Sequence, residues 1–458
     1  MVPFHSRRLV RGGLLLLAVG LLWASGLRVS RAQAVRALSP DACVEIGLEN
    51  NRSVQASRAQ GAAAEARQWV AQTARLPQLR GQGQYQRLSD IPAFDIPFPL
   101  PDQPSGGPVT IAPAIRDRYN VQASVQQPLF TGLRLTNQVR AARYDAAAAR
   151  HETQATEGEV AYRIRAAYWQ LEKALAAREV VDKALEQAEA QLADVQNRRA
   201  QGMALESDVL AVQARRSEIR LQQLDAADAV RVARLTLNYR MGVPLDTQIE
   251  PTGTVTVQPL ADSLSTLTAR ALQQQPELRA LDATVQALDA SVGVAQSGWL
   301  PDVRLQGTYT YARPNPFIVP QEDAFAGTWE VGVALSMDLW NWGRTGAQVD
   351  QAQAERRRAE AERADLRQAV RLDVTRQVLA VRRAIEAVQV AEQGRQEAEA
   401  AYQNLQAQFQ QGAALTAELL AAEATFRRAE LRHAEARADY AIARAALRRA
   451  LGDDPRRP

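Results

Sequence analysis

The chain has 458 residues, of which 46% are hydrophobic, 23% are charged and 5% are aromatic, and this composition excludes both a disordered protein and a bundle of membrane-spanning helices. With three histidines, four methionines and one cysteine, the sequence has almost no material for a histidine-based catalytic centre or a soft-metal site. The sequence therefore predicts a protein that is not an enzyme and holds no cofactor or metal. The formal charge is +4, from 55 Lys and Arg against 51 Asp and Glu.

The first 34 residues predict a cleaved export signal. Three arginines precede an apolar run over residues 12–23 that is too short for a comfortable membrane span, and Ala32-Gln33-Ala34 offers a cleavage site before Val35. The segment holds five arginines and no acid, so its removal takes the charge from +4 to −1 and removes any argument for a nucleic acid partner. We interpret Cys43 as an apolar helix residue and not as a lipid attachment site, because the apolar run ends well before it.

The remaining sequence predicts two related halves. Leu76-Pro77-Gln78-Leu79-Arg80 matches the segment from Leu300 to Arg304, and Gln201-Gly202 matches Gln411-Gly412. The offset between the halves is smaller for the second match, which places an insertion in the first half, where a proline-rich stretch between Arg87 and Arg118 predicts a long irregular loop. We therefore predict a signal peptide at 1–34, a first repeat at 35–242, an interrepeat linker at 243–263, a second repeat at 264–452 and a tail at 453–458.

Long helices with a seven-residue apolar repeat are predicted in both halves. The first half carries this repeat at Val160, Ala167, Ala174, Val181, Ala188 and Val195, and the second half at Val370, Gln377, Ala384, Ala391, Ala398 and Leu405. Such a period makes helices supercoil, and the many alanines allow close approach. The first helical pattern runs from about residue 137 to 199, a rod of roughly 95 Å. These helices alone also fit a secreted periplasmic coiled-coil scaffold or interaction protein without a pore.

Four segments alternate apolar and polar residues, with the clearest patterns at residues 303–311 and 329–339 and weaker ones at residues 79–86 and 121–126. Alternation over about ten residues is typical of a strand that crosses a membrane with one face to lipid. Aromatic residues that suit the membrane interface flank the strands: Phe130, Trp299, Trp340 and Trp342 at one end, and Tyr311 and Trp329 toward the other.

Four strands are too few for a membrane barrel, since the smallest known barrels have about eight. An open edge in lipid would leave unpaired backbone groups that cost several kcal/mol each. The strands therefore predict a barrel shared between chains, in which two copies would give eight strands and three would give twelve.

Several motifs resemble those of the TolC-like outer membrane efflux proteins, over nearly the whole chain after the signal. Leu38-Ser39-Pro40-Asp41-Ala42 is similar to the family's opening helix, and Trp299-Leu300-Pro301 to its helix-to-strand junction. The segments 201–210 and 411–420 are similar to its two hairpin tips. The resemblance implies a mainly α-helical homotrimer with a membrane β portion, in which four strands per chain form a shared 12-stranded β-barrel and duplicated long coiled-coil hairpins form a periplasmic α-barrel.

This resemblance also implies a function. The protein would be the outer membrane channel of a tripartite efflux or type I secretion system. It would pass substrates from an inner membrane transporter and a periplasmic adaptor protein to the cell exterior. The barrel would contact outer membrane lipid, the long helices would extend into the periplasm, and the linker at 243–263 would lie in the periplasmic equatorial region.

The resemblance assigns gate and docking residues at the hairpin tips. Glu418, six residues after Gly412, matches a carboxylate that forms a ring at the closed entrance, while Ala421 stands where some relatives have a second acid. Phe409 matches a position that helps to hold the tip shut, and Asp208 is the counterpart of Glu418 in the first tip. Both acids also fit simple capping of the following helix. The docking surface for the adaptor would comprise Gly202, Met203, Ala204, Gly412, Ala413 and Ala414.

Overall fold

The computed structural model describes residues 36–90, 92–96, 109–112, 114–319 and 321–456. The predicted signal peptide at 1–34 lies outside these residues. Within the described ranges, no helix contains a stretch long and apolar enough to cross a membrane.

Among the described residues, the helices and strands fall into two sets that share the order helix, helix, strand, strand, long helix, helix, and the first set has four additional short strands. The first set is β1 (Arg36–Leu38), α1 (Pro40–Asn50), α2 (Arg52–Thr73), β2 (Gln78–Arg87), β3 (Phe94–Ile96), β4 (Val109–Ala112), β5 (Asp117–Thr131), α3 (Arg134–Ala200), α4 (Glu206–Met241) and β6 (Ile249–Pro251). The second set is α5 (Leu264–Gln274), α6 (Pro276–Gln296), β7 (Asp302–Arg313), β8 (Ala326–Ser336), α7 (Arg344–Gln410) and α8 (Thr416–Leu451). The additional strands of the first set are β1, β3, β4 and β6. The two long helices, α3 and α7, have 67 residues each, and α4 and α8 have 36 each.

The long helices agree with the heptad pattern and extend slightly beyond it at both ends. At 1.5 Å per residue, α3 and α7 are each about 100 Å long. Each pairs with the following helix as a hairpin, and α3 also contacts α8, so the two hairpins lie side by side. Buried residues at the expected seven-residue spacing include Val160, Ala167, Ala188 and Val195 in α3 and Val370 and Ala384 in α7.

Four strands form an antiparallel sheet in the order β2-β5-β7-β8. Its register places whole rows of like residues on one face. One row joins Leu79, Val125, Gly307 and Val331, and the next row, on the opposite face, joins Arg80, Ser124, Thr308 and Glu330. The alternation that the sequence showed in single strands therefore continues across the sheet as one apolar face and one polar face. The apolar face is uncovered, since Leu79 is 76% exposed and Val331 is 65% exposed.

Three local features differ from the sequence-based expectations. The stretch expected to be an irregular loop contains the hairpin β3–β4. The interrepeat linker contains β6, which pairs in parallel with β1. The strand pattern expected to continue to Leu339 stops at Ser336. Beyond it the chain turns into α7 through Trp342 and Gly343, both in the left-handed region, with φ of 56° and 77°.

The same turn occurs in the first half. There the chain enters α3 through Gly132 and Leu133, with φ of 57° and 65°. This backbone conformation is unfavourable for a residue that carries a bulky side chain. Leu133 and Trp342 therefore adopt it only because the tight turn requires it. The two halves thus share a tight change of direction between the sheet and the long helix.

Two tyrosine hydroxyls attach the interrepeat linker to the helices. Tyr168 of α3 donates to the Leu38 carbonyl at 3.1 Å and accepts from the Gly253 amide at 2.7 Å. Tyr440 of α8 bonds both the amide and the carbonyl of Gln258, at 2.9 Å and 3.1 Å. Burial raises the pKa of Tyr168 to about 12, so its hydroxyl keeps the proton that it donates. Each ring also belongs to one of the two main apolar clusters of the helices.

Replacement of Tyr168 by Phe should destabilise the fold by about 1–3 kcal/mol, because the Gly253 amide and the Leu38 carbonyl lose their partner. The measurement is thermal unfolding followed by circular dichroism. Tyr162→Phe is the matched control, since its hydroxyl makes no hydrogen bond among the described residues, and it should unfold at the wild-type temperature. Equal effects of the two substitutions would contradict the assignment.

Candidate functional site at the hairpin tips

The two hairpin tips are glycine turns with the same geometry. Gly202 and Gly412 lie in the left-handed region, with φ of 77° and 74°. In the first tip the Met203 amide donates to the Arg198 carbonyl at 2.8 Å, and in the second the Ala413 amide donates to the Gln408 carbonyl at 2.8 Å. These bonds satisfy carbonyls at the end of each long helix, and the positive φ is the reason that glycine occupies both positions.

Asp208 and Glu418 cap the helices that follow the tips. The Leu205 amide donates to Asp208 Oδ2 at 3.0 Å, and the Leu415 amide donates to Glu418 Oε2 at 3.1 Å. A carboxylate in the first turn also interacts favourably with the positive end of the helix dipole. Within one chain both acids therefore have a structural role, and the ring of Glu418 side chains at an entrance stays a prediction.

Phe409 joins the two tips within the chain. Its ring is 8% exposed and lies under the guanidinium of Arg198, whose central carbon is 4.7 Å from the ring centroid. Arg198 is further oriented by Asp194, which accepts a hydrogen bond from its Nε at 2.9 Å. A cation over an aromatic face is attractive, so the last turn of α3 is held against the last turn of α7.

A small apolar cluster supports this contact. Val195, Val209 and Val212 are buried between α3 and α4, and Leu420 of α8 and Ala204 of the first tip pack against them. The cluster is far smaller than those in the middle of the helices. The tips are therefore held together by few contacts.

The outer surface of the tips is apolar in part. Met203, Leu205 and Leu415 are each more than 60% exposed. The predicted docking residues Gly202, Gly412 and Ala413 are also exposed, whereas Ala204 and Ala414 are half-buried. The first turn is crossed by an ion pair between Arg199 and Glu206.

The predicted interface aromatics lie near the two ends of the sheet. Trp340 and Trp342 contact each other edge to face at 5.7 Å in the turn after β8, and Trp299 precedes β7. Phe130 pairs with Val303 in the same end of the sheet. At the other end Tyr311 stacks on Phe325 at 5.3 Å, and Trp329 lies opposite Tyr309. The exposed aromatic side chains thus bracket the apolar face, and their contact with lipid stays a prediction.

No residues in the described part of the chain are arranged as a metal site. Cys43 is fully buried in α1, and burial raises the pKa of its thiol to about 12, which keeps it protonated and unreactive. The single cysteine is therefore part of the helix packing.

Comparison with known protein families assigns the chain. The family described as outer membrane efflux protein matches residues 44–243 and 267–453, which is most of the sequence and both halves. The chain belongs to the outer membrane efflux protein family. Comparison with curated proteins found no significant match.

Solved structures share the fold of this efflux protein. The outer membrane protein VceC from Vibrio cholerae is 20% identical, with 90% of this chain and 96% of that chain covered and a TM-score of 0.74. The MtrE outer membrane channel of Neisseria gonorrhoeae is 18% identical, with 91% and 89% covered and a TM-score of 0.72. The CmeC outer membrane channel of Campylobacter jejuni is 15% identical, with 90% and 85% covered and a TM-score of 0.75.

We predict that Arg198→Gln loosens the tips of this efflux protein. Loss of a cation–aromatic contact worth about 0.5–1 kcal/mol should speed amide exchange around Gly412 by about two- to five-fold, as measured by hydrogen–deuterium exchange. Asp194→Asn is the control, because it removes the ion pair of Arg198 and leaves the guanidinium on Phe409. Unchanged exchange around Gly412 in Arg198→Gln would refute the contact between the tips.

Proposed function

We propose that the protein is the outer membrane channel of a tripartite efflux system and that it acts as a homotrimer with one shared β-barrel. The observation that carries this proposal is the four-stranded sheet, which has an uncovered apolar face and two edge strands, β2 and β8, that pair with no further strand in the described part of the chain. A pore-free scaffold in water would leave that face exposed to solvent without a partner.

The sheet requires other copies of the chain once it lies in lipid. Backbone groups on β2 and β8 would otherwise remain unpaired in hydrocarbon, at a cost of several kcal/mol each. All neighbouring strands are antiparallel, so β2 and β8 run in opposite directions, and β8 of one chain can continue the antiparallel order on β2 of the next. Three copies joined in this way give a closed barrel of twelve strands, with the polar face lining the pore.

The helices support the same head-to-tail association. Because α3 contacts α8 within the chain, α4 and α7 lie on the two outer sides of the hairpin pair. Each carries exposed apolar side chains near heptad spacing: Leu221, Leu224, Val232, Leu235 and Tyr239 on α4, and Leu372, Leu379 and Val390 on α7. These stripes suit packing of α4 against α7 of the next subunit, which would close the helices into a tunnel.

The tips suit contact with other proteins of the pump. They lie at the ends of the helices farthest along the chain from the sheet, at about 100 Å for a 67-residue helix. Exposed apolar residues such as Met203 and Leu415 give a periplasmic adaptor a surface to bury. An inner membrane transporter would supply energy and select the cargo, and the trimer would conduct it to the exterior. Glu418 from each subunit would line the entrance.

Leu221→Glu tests the association of subunits. A charge in the stripe of α4 should lose the burial of one leucine at each of three interfaces, about 1.5–3 kcal/mol per site, and weaken the trimer. The measurement is the heat-modifiable trimer band in outer membrane fractions. Arg220→Glu, a charge change at the neighbouring exposed position on α4, is the control and should keep the trimer. A soluble monomeric rod in the wild type would refute the channel itself.

Glu418→Gln tests the ring at the entrance. Glutamine keeps an acceptor for the Leu415 amide and removes the charge. The substitution therefore distinguishes the role of Glu418 in capping the helix from its role in a charged ring. We expect the cation preference of single channels in planar bilayers to fall, while Asp208→Asn serves as the matched change in the other tip. Wild-type conductance and selectivity in both Glu418→Gln and Glu418→Ala would show that Glu418 acts only as a cap.

A further inference from the structure

A buried charged junction lies close to the tips, where side chains of α4 and α7 come near α8. Glu423 lies about two turns into α8, which begins at Thr416. The groups that act on Glu423 are Arg215 on α4, Tyr402 on α7 and Arg427 on the next turn of α8. Glu218 of α4 and Arg428 of α8 in turn act on Arg427. The junction therefore connects the first hairpin to the second at a level just above the tips.

Glu423 is buried and only partly compensated. The residue is 4% exposed, and its Oε1 has no hydrogen-bond partner. Among the residues that the structure describes, no basic side chain lies close enough to Glu423 to form an ion pair with it. The neighbouring buried position on the same face of α8 is Leu419. The carboxylate of Glu423 thus lies on the buried face of α8, at a position one turn after Leu419 where an apolar side chain would be expected.

The basic side chains around it are incompletely satisfied as well. Arg427 has a buried Nη1 without a hydrogen bond, and Arg215 is engaged by Glu218 on its own helix. Arg215 also faces Arg427, a like charge. Helices α4 and α8 therefore bring opposite and like charges near one another at a largely buried place, and among the described residues no ion pair joins Glu423 or Arg427 of α8 to α4.

Burial is the dominant effect on both charges. It raises the pKa of Glu423 more than the nearby Arg427 and Arg215 lower it, and burial also lowers the pKa of Arg427. The charged forms of Glu423 and Arg427 are therefore more stable when the side chains are exposed to water than when they are packed between the helices. A buried group of this kind stabilises a packed state less than an apolar residue of similar size would.

The fold itself does not require an acid at this point. The position of Glu423 in the first repeat is occupied by Gln213, which is exposed on α4. The two repeats have helices of the same length and the same turns at their tips. The buried acid is therefore a feature of the second hairpin alone, where it faces the first hairpin.

We propose that the junction of Glu423, Arg427 and Arg215 is a built-in weak point that makes separation of the two hairpins at the tips easier. Its biological meaning, easier opening of the tunnel entrance by a docked partner, rests on the proposed channel function. Separation exposes Glu423 and Arg427 to water and relieves their desolvation. Because burial raises the pKa of Glu423, the packed tips bind a proton more readily than the separated tips, so acidification favours packing and deprotonation favours separation.

A cysteine at Leu420 reports on this separation without any need for transport. Leu420 is half-buried and packs against the cluster of Val195, Val209 and Val212 across the hairpins, so a cysteine thiol in its place should react faster when the tips part. The native Cys43 is fully buried and does not compete for a maleimide. The reaction rate of Leu420→Cys in the purified full-length protein is compared with and without Glu423→Gln, and rates are divided by those of a cysteine peptide at the same pH.

We expect Glu423→Gln to slow labelling several-fold at pH 7.5 and to abolish the slowing that acidification produces in the parent. Glu435→Gln, which neutralises an acid farther along α8 that pairs with Lys173, is the control and should leave the rate unchanged. Glu423→Leu provides a second variant and should also slow labelling.

Labelling in Glu423→Gln that is equal to or faster than in the parent would overturn the proposal, because Glu423 would then be neutral for the tips or would hold them together. The labelling rates do not depend on whether the protein conducts. Absence of conductance in planar bilayers would refute the channel, whereas the labelling rates would still decide the role of the junction.

Discussion

The requirement that buried backbone groups find hydrogen-bond partners governs this structure. A sheet of four strands satisfies its two inner strands and leaves one side of β2 and of β8 unpaired. In water such edges are tolerable, but the sheet also carries an uncovered apolar face that suits lipid, where unpaired groups are costly. A chain with these properties is incomplete alone. The long helices are incomplete in the same way, because the apolar stripes on α4 and α7 are exposed and have no partner among the described residues.

Packing is distributed unevenly along the helices. Two large apolar clusters lie in the middle of the molecule, where α1, α3 and α4 meet and where α5, α7 and α8 meet. The interrepeat linker is fixed there by Tyr168 and Tyr440. At the tips, by contrast, the described contacts between the hairpins include Leu420 on a small valine cluster, one cation–aromatic contact and a poorly compensated charged junction. A firm middle and weakly joined ends are the arrangement that a gated tunnel needs.

Periodic features were predictable because they depend on neighbours in sequence. The seven-residue repeat gave the long helices, the two-residue repeat gave the faces of the sheet, and a repeated Gln-Gly pair marked both turns. The short strands β1 and β6 were missed because three-residue strands lack a period. The end of β8 was placed too late because alternation continues by chance to Leu339 after the backbone has left the sheet.

The sequence by itself determined the duplicated order of elements, the lengths of the hairpins and the two faces of the sheet, since helix and strand periods are local. Only the tertiary structure decided that Arg198 covers Phe409 and that Glu423 is buried against the first hairpin. The partners in both contacts are more than 200 residues apart. Which side chains meet there depends on the relative rotation and height of two packed hairpins, and no local pattern of residues encodes that alignment.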